Sequence, residues 1–231
     1  MKYIAEIPVR LGSKRVPKKN LRLICGKPMV SYAVEAAKAS KYIDKIFINS
    51  EDEILRKIAN ELSVNFYKRK AELSIDTVTS DEFNYDFLLN NDCDALVMVN
   101  PVSPLITSDD IDLAIETFEK GNFDTLISVK EERLQSFYLG KPININIHEK
   151  LAMTQNINPI QIISWAVSIW KKKSFMESYE KNGYAVFNGK LCLFPINPLH
   201  ALKISYEEDF FLAEIMISAK KYHNEDTKYY E

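Results

Sequence analysis

Cysteine is scarce in this chain: Cys25, Cys93 and Cys192 are the only three among 231 residues. They are too few and too far apart for a disulfide framework or a zinc site, which suits a reducing compartment. Histidine is equally scarce. His148, His200 and His223 are scattered, and no serine has an evident histidine partner, so a hydrolytic triad has no support. No apolar run approaches the roughly 18 residues of a membrane span. The short run at the N-terminus reaches Arg10 before it has the length of a signal h-region. Charge of one sign is missing too: 30 Lys plus Arg stand against 32 Asp plus Glu, a formal net charge of −2. No global field therefore draws the chain to nucleic acid or to a membrane surface. Neither GxxxxGK[ST] nor GxGxxG occurs, which disfavours P-loop ATPases and Rossmann dehydrogenases. The expectation left by these absences is a soluble cytoplasmic protein whose affinity for anions, if any, is local.

With 46% hydrophobic residues, the chain is long enough to bury one sizeable core. Up to residue 130, strand-like and helix-like segments alternate. Strands are expected at 3–9, 45–50, 64–68, 94–100 and 123–129. Helices are expected at 28–40, 51–63, 80–91 and 108–122, the last two opened by Ser80 and Ser108, with Gly121 near the end of the fourth. DALVMVN (94–100) is almost continuously apolar, as a strand buried on both faces requires. This alternation predicts an α/β fold with a mostly parallel sheet wound by right-handed crossovers. Beyond residue 130 the rhythm breaks into an Asn-, Ile- and Pro-rich stretch. Strands at 165–170 and 190–196, a helix at 171–181 and a final helix at 206–222 with a polar tail complete the reading. The whole of 1–231 reads as one domain, with 131–165 as an inserted arm.

The densest chemistry lies in PVRLGSKRVPKKN (8–20), where Arg10, Lys14, Arg15, Lys18 and Lys19 follow the first strand directly. Such a run is either a solvated basic turn or a cradle for a polyanion. In open parallel sheets ligands sit beyond the carboxyl ends of the strands, which is where this run falls. Gly12 would let the backbone turn tightly and approach a ligand. Arg10, Lys14, Arg15 and Lys19 can give charge-assisted hydrogen bonds to phosphate oxygens, and Asn20 can both donate and accept.

The order R-x-G-S-K-R-x-P-x-K-N, followed by GKPM (26–29), resembles the opening signature of the CMP-sugar synthetases, closest to the CMP-acylneuraminate cytidylyltransferases. The resemblance implies a Rossmann-like nucleotidyltransferase fold with a small dimerisation arm at 131–165, and hence a homodimer. It implies synthesis of a CMP-sugar and pyrophosphate from CTP and a sugar acid. Catalytic roles would fall to Arg10, Lys14 and Lys19, and nucleotide contacts to Gly12, Ser13, Arg15, Asn20, Arg69 and Ser80. KRKAELSIDTVTSDEF (68–83) resembles the family's KRP…TSD segment. There Arg69 would lie near cytosine, and Asp76, Thr79, Ser80 and Asp81 would shape the pocket; Asp81 also reads simply as an acid in the first turn of a helix. VNPVSPLI (99–106) resembles LQPTSPLR, which puts Asn100 and Ser103 among the substrate contacts, with Val102 and Ile106 where threonine and arginine are usual.

Three departures fall on the acceptor and metal side. TQNINP (154–159) keeps Gln155 and Pro159 of an R-Q-x-x-P segment but has Thr154 for the arginine. SWAVSIW (164–170) places Trp165 and Ala166 where the family has Asn-Gly, so Gln155 and Trp165 become the expected acceptor contacts in a bulkier, less polar site. KISYEEDF (203–210) has Lys203 and Ser205 at the two positions of a Mg²⁺-binding D-x-D. Mg²⁺ is expected from the resemblance, with Asp209 as its remaining candidate ligand; Asp209 also reads as an acid complementing a helix N-terminus. Either the triphosphate and another carboxylate hold the metal, or Lys203 supplies the cation, or activity is lost and the fold retained. The expected function is cytidylyl transfer from CTP to a small anionic acceptor, a sugar acid of surface-glycan biosynthesis, with no nucleic-acid or membrane partner. A phosphorylated or phosphonate acceptor, or a non-catalytic nucleotide-binding role, are the alternatives.

Overall fold

The computed structural model describes residues 1–219. Positions 220–222 of the expected last helix, the polar tail and His223 lie outside the described residues.

Strand β1 (Tyr3–Pro8) starts the sheet, and its alternation is visible in the packing. Tyr3, Ala5 and Ile7 enter one core layer, while Ile4 enters the other. After the basic stretch, a hairpin of β2 (Leu23–Ile24) and β3 (Lys27–Pro28) leads into α1 (Met29–Ala39). Then come β4 (Ile43–Ser50), α2 (Glu53–Glu61), β5 (Asn65–Lys68), α3 (Ser80–Asn90), β6 (Ala95–Val99), α4 (Ser108–Lys120) and β7 (Thr125–Glu132). A second hairpin, β8 (Phe137–Tyr138) and β9 (Lys141–Pro142), precedes β10 (Ile160–Lys171), α5 (Lys172–Asn182), β11 (Leu191–Pro195) and α6 (Glu207–Ala219). The seven-stranded sheet runs β11-β7-β10-β6-β1-β4-β5. Every pairing in it is parallel except those of β10, which is antiparallel to both β6 and β7. One face of the sheet packs on α1, α2 and α4, and the other on α3 and α5. All five residues of β6 are buried, as its unbroken apolar run requires at the centre of a three-layer fold.

Two helix starts differ by one residue from the sequence expectation. Thr79, not Ser80, caps α3, and Glu82 reaches back to its amide (2.7 Å). Thr107, not Ser108, caps α4, with Asp110 bonding back to its amide (2.9 Å). In both cases the true cap is the threonine three residues before the acid, which is the spacing of a capping box. Gly121 is not left-handed; Asn122 takes that conformation (φ 46). A Cβ at 121 would lie 1.9 Å from the Phe123 ring, so a larger residue there would have to displace that ring.

The stretch expected as an arm divides into parts. Glu131 and Glu132 finish β7, residues 133–159 leave the sheet, and 160–165 already run in β10. The excursion contains a two-residue hairpin turned by Leu139 (φ 49) and Gly140 (φ 78), the two positive φ values a type I′ turn needs. Phe137, Tyr138, Leu139, Ile143, Leu151 and Met153 all stand open to solvent on it, Leu139 at 86%. No helix among the described residues is long and apolar enough to cross a membrane.

Candidate functional site

A cleft of about 670 Å³ opens beyond the carboxyl ends of β1 and β6. Its walls come from six segments: the basic stretch after β1, the turn after β5, the start of α3, the turn after β6, the middle of β10 and the approach to α6. Of the residues singled out in the sequence, Arg10, Ser13, Lys14, Arg15, Lys19, Asn20, Arg69, Ser80, Asn100 and Trp165 line it. Gly12, Ser103, Gln155 and Asp209 do not. Gly12 has no positive φ and a Cβ there would meet nothing within 4 Å, so the turn does not itself demand glycine. The left-handed residue of the loop is Lys18 (φ 48). Ser103 is fully buried with its hydroxyl unpartnered, and Gln155 is exposed on the excursion.

The basic stretch is held open over the cleft by a few specific bonds. Lys19 Nζ donates to Ile204 O (2.7 Å), and Ile204 N to Val102 O (2.8 Å). These bonds tie the loop after β1 to the approach to α6 and to the turn after β6. Burial, then the nearby charges of Arg15 and Lys203, bring the Lys19 ammonium down to about 8. Lys203 is lowered for the same reasons, burial first and Arg15 second. Two crowded amines with depressed proton affinity mark a site that gains by admitting an anion. Arg10 (2.7 Å) and Lys14 meet Asp76, whose carboxyl the bonded Lys14 and then Arg10 hold below its usual range. Asp76 thus engages two cations that a phosphate could claim.

On the opposite wall Arg69 is almost fully buried. Its Nε donates to Asn49 Oδ1 (2.9 Å) and a terminal nitrogen to Asn49 O (2.8 Å), while its guanidinium lies 4.5 Å from the Phe83 ring centroid. Asn49 Nδ2 in turn donates to Glu6. Glu6 is fully buried with its second oxygen unpartnered, and burial pushes its carboxyl up to about 7. The sequence carries a signal for this chain of groups that motif matching passes over: an acid inside an otherwise apolar strand. Phe83 escapes motif matching as well, although it sits one helical turn after Ser80. A measurable consequence follows for Glu6. The native state keeps its proton up to about 7, whereas the unfolded chain releases it near the ordinary glutamate value. Stability therefore falls as pH rises through that window, by about 1.4 kcal/mol for each pH unit. Relative to Glu6→Gln, the wild type is expected to lose about 3 kcal/mol of unfolding free energy between pH 5 and pH 8. Denaturant titrations at the two pH values check this; parallel curves for the two proteins would refute it.

Trp165 reaches the cleft through an irregularity. The pairing of β10 with β7 slips between Ile163 and Ser168, and Trp165 sits there at φ 60. A left-handed aromatic costs on the order of 1–2 kcal/mol, and an asparagine-glycine pair would adopt the same bulge with less strain. Its ring lies 5.8 Å from that of Phe187. The loop carrying Phe187 is fixed by Asp81, whose Oδ1 accepts from the amides of Ala185 (2.5 Å) and Val186 (2.7 Å). Asp81 is thus an anchor between α3 and this loop.

The donor set does not fit Mg²⁺, which is held by one or two carboxylates alongside the phosphates. Among the described residues Asp76 is the one carboxylate lining the cleft, and it is bridged to two cations. Asp209, the expected ligand, instead caps α6: its Oδ2 accepts from the amides of Ser205 (2.8 Å) and Tyr206 (2.9 Å). Lys203 and Ser205, at the positions where aspartates would be needed, line the cleft. Among the described residues no group of three or more His, Cys, Asp or Glu could hold a metal ion.

Comparison with known proteins adds to this geometry. The family model described as "Cytidylyltransferase" matches residues 4–185. The N-acylneuraminate cytidylyltransferase of Streptococcus agalactiae serotype V is 30% identical over 219 residues, covering 91% of this chain and 52% of that protein. The chain thus spans about half the length of that curated relative. The CMP-N,N'-diacetyllegionaminic acid synthase of Legionella pneumophila is 25% identical over 190 residues, covering 77% of this chain and 82% of that protein. Among solved structures, a CMP:2-keto-3-deoxy-manno-octonic acid synthetase complexed with CTP superposes with a TM-score of 0.74 at 12% identity, covering 95% of this chain and 100% of that one. At that identity the likeness is one of fold.

Proposed function

The chain belongs to the cytidylyltransferase family, and from that premise we propose that it transfers CMP from CTP to a small anionic acceptor, a sugar acid of surface-glycan biosynthesis, releasing pyrophosphate. The observation that carries this reading is the convergence of Arg10, Lys14, Arg15 and Lys19 with Arg69 on one cleft. The basic side chains meet the triphosphate. Arg69 offers donors only. Cytosine presents two adjacent acceptors, O2 and N3, whereas uracil carries an N–H at the second, so a fixed guanidinium favours cytosine. Phe83 and Met98 also line the cleft and supply apolar contact for the base.

The acceptor's own oxygen attacks the α-phosphorus. A new O–P bond forms as the bond to the β-phosphate oxygen breaks, the acceptor's proton is lost to solvent, and pyrophosphate leaves with the bond's electrons. No covalent enzyme intermediate is required, so catalysis consists of alignment and of neutralising charge on the leaving group. Lys19 and Arg15 serve the second task, and Lys14 can join them on release from Asp76. Asn100 and Trp165 line the side left for the acceptor, where Trp165, with Phe187 beside it, stands in place of small polar groups. The relatives named above point to nonulosonic and octonic acids as the acceptor class. We place the protein in the cytoplasm, where CTP is made, and as a homodimer joined through 133–159; three unpaired cysteines suit that compartment.

The test is pyrophosphate release from CTP with a panel comprising N-acylneuraminate, N,N'-diacetyllegionaminic acid, 2-keto-3-deoxy-manno-octonic acid and a phosphorylated polyol. Turnover with at least one sugar acid is expected, and UTP is expected to be used at least about 10-fold less well. Turnover with the phosphorylated polyol alone would replace the acceptor class. CTP binding without turnover on any acceptor would leave a nucleotide-binding protein and end the enzyme reading.

A further inference from the structure

Among the described residues six cationic side chains, Arg10, Lys14, Arg15, Lys19, Arg69 and Lys203, line the cleft against one carboxylate, Asp76. Arg10 and Lys14 are already engaged by that carboxylate, and Arg69 is bound to Asn49 on the base side. Arg15, Lys19 and Lys203 remain; after burial, Arg15 and Lys203 lower the proton affinity of Lys19, and Arg15 lowers that of Lys203. Their positions are set by the fold. Ile204, between Lys203 and Ser205, is fully buried among Ile24, Met29, Phe210 and Ala213. Its carbonyl receives Lys19 and its amide bonds to Val102. The next two amides are capped by Asp209. Arg15 lies over the Tyr206 ring at 5.2 Å. A divalent cation placed here would face three positive groups and, among the described residues, no free pair of carboxylates lining the cleft.

We propose that Lys203, with Arg15 and Lys19, takes the electrostatic place of a divalent cation at the triphosphate, so that this chain binds CTP as the metal-free anion. The proposal rests on the CTP reading above and deepens it. Ammonium and guanidinium groups give the non-bridging oxygens charge-assisted hydrogen bonds, where Mg²⁺ would have given coordination. Entry of the triphosphate relieves the mutual repulsion of the three cations, and a metal-bound nucleotide, already partly neutralised, relieves it less. Ser205, beside Lys203, is a neutral donor suited to the same oxygens.

Calorimetry with CTP in excess EDTA and in Mg²⁺ tests this on the intact protein. The wild type is expected to bind CTP at least as tightly in EDTA as in Mg²⁺. Lys203→Met, which keeps the apolar stem and removes the charge, is expected to lose at least about 10-fold in EDTA while its thermal midpoint is unchanged. The double variant Lys203→Asp with Ser205→Asp is expected to reverse the preference and bind at least about 10-fold better with Mg²⁺ than without. A wild type that loses about 10-fold or more on chelation, or a Lys203→Met protein that binds like the wild type in EDTA, overturns the proposal alone. Absence of CTP binding in both conditions overturns it together with the nucleotide reading.

Discussion

Lys19→Ala is expected to weaken CTP binding by about 10- to 100-fold, the worth of one charge-assisted hydrogen bond in a partly buried site. Two separate contributions put it at the upper end. The ammonium is one of the three cations left for the triphosphate, and its bond to Ile204 O joins the basic loop to the segment carrying Lys203. Losing it removes a charge and loosens the placement of another. The pH dependence distinguishes these effects. In the free protein burial first, and then the cations Arg15, Lys203 and Arg10 against the anion Asp209, bring Lys19 down to about 8. A bound triphosphate raises that value, so above about pH 8 binding must take up a proton. Wild-type affinity should therefore decline above about pH 8, by up to about tenfold per pH unit. The Lys19→Ala protein should lose the decline that sets in near pH 8 and keep only what Lys203, also lowered by burial and then Arg15, contributes at higher pH. Isothermal titrations from about pH 6.5 to 9.5 bracket that transition and measure both. An unchanged affinity would remove the basic loop from nucleotide binding. Lys19→Arg, which keeps the charge but not the compact donor geometry, should fall between the two.

Phe137→Asp combined with Tyr138→Asp is expected to turn the proposed homodimer into a monomer at micromolar concentration. These side chains are 54% and 69% exposed, beside Leu139 at 86%, on a two-stranded hairpin that pairs only with itself. An isolated hairpin is marginal in water, and a run of exposed apolar groups of this extent marks an interaction surface. Burying each such side chain contributes about 1.5–3 kcal/mol. Each variant protomer carries two changes, so the dissociation constant should rise by more than about a thousandfold. The hairpin lies outside both core layers, so the thermal midpoint of the monomer unit should change little. Sedimentation velocity decides the matter. A variant that remains dimeric places the interface elsewhere, and a monomeric wild type ends the dimer proposal.

Much of the cleft is legible in the sequence because its key residues are local. Strand β1 and the basic stretch are contiguous, and the carboxyl end of an early strand in an α/β alternation is where ligands gather. Arg10, Ser13, Lys14, Arg15, Lys19 and Asn20 line the cleft for that reason. The misplaced residues share a cause. Gln155 matches a family motif by its letters, yet it stands on a segment that leaves the sheet. Asp209 lies near the altered D-x-D, although its carboxylate serves the helix behind it. The helix caps fall one residue before the serines expected for them. Serine and threonine adjoin at both starts, and only the spacing to the acid separates them.

Hydrophobic period and charge density are properties of neighbouring residues. They are enough to give the alternation of strands and helices, the buried central strand and the cationic loop beyond β1. Three-dimensional packing supplied everything else. It inserted β10 antiparallel between β6 and β7 and bulged it so that Trp165 enters the cleft at φ 60. It linked Glu6, Asn49 and Arg69 across the ends of neighbouring strands, and it set Lys203, from the far end of the chain, against Arg15 and Lys19. Such juxtapositions depend on which strands pair and how loops cross the sheet edge. No local pattern of residues encodes that pairing, since the free energy that selects it comes from the packing of the whole core.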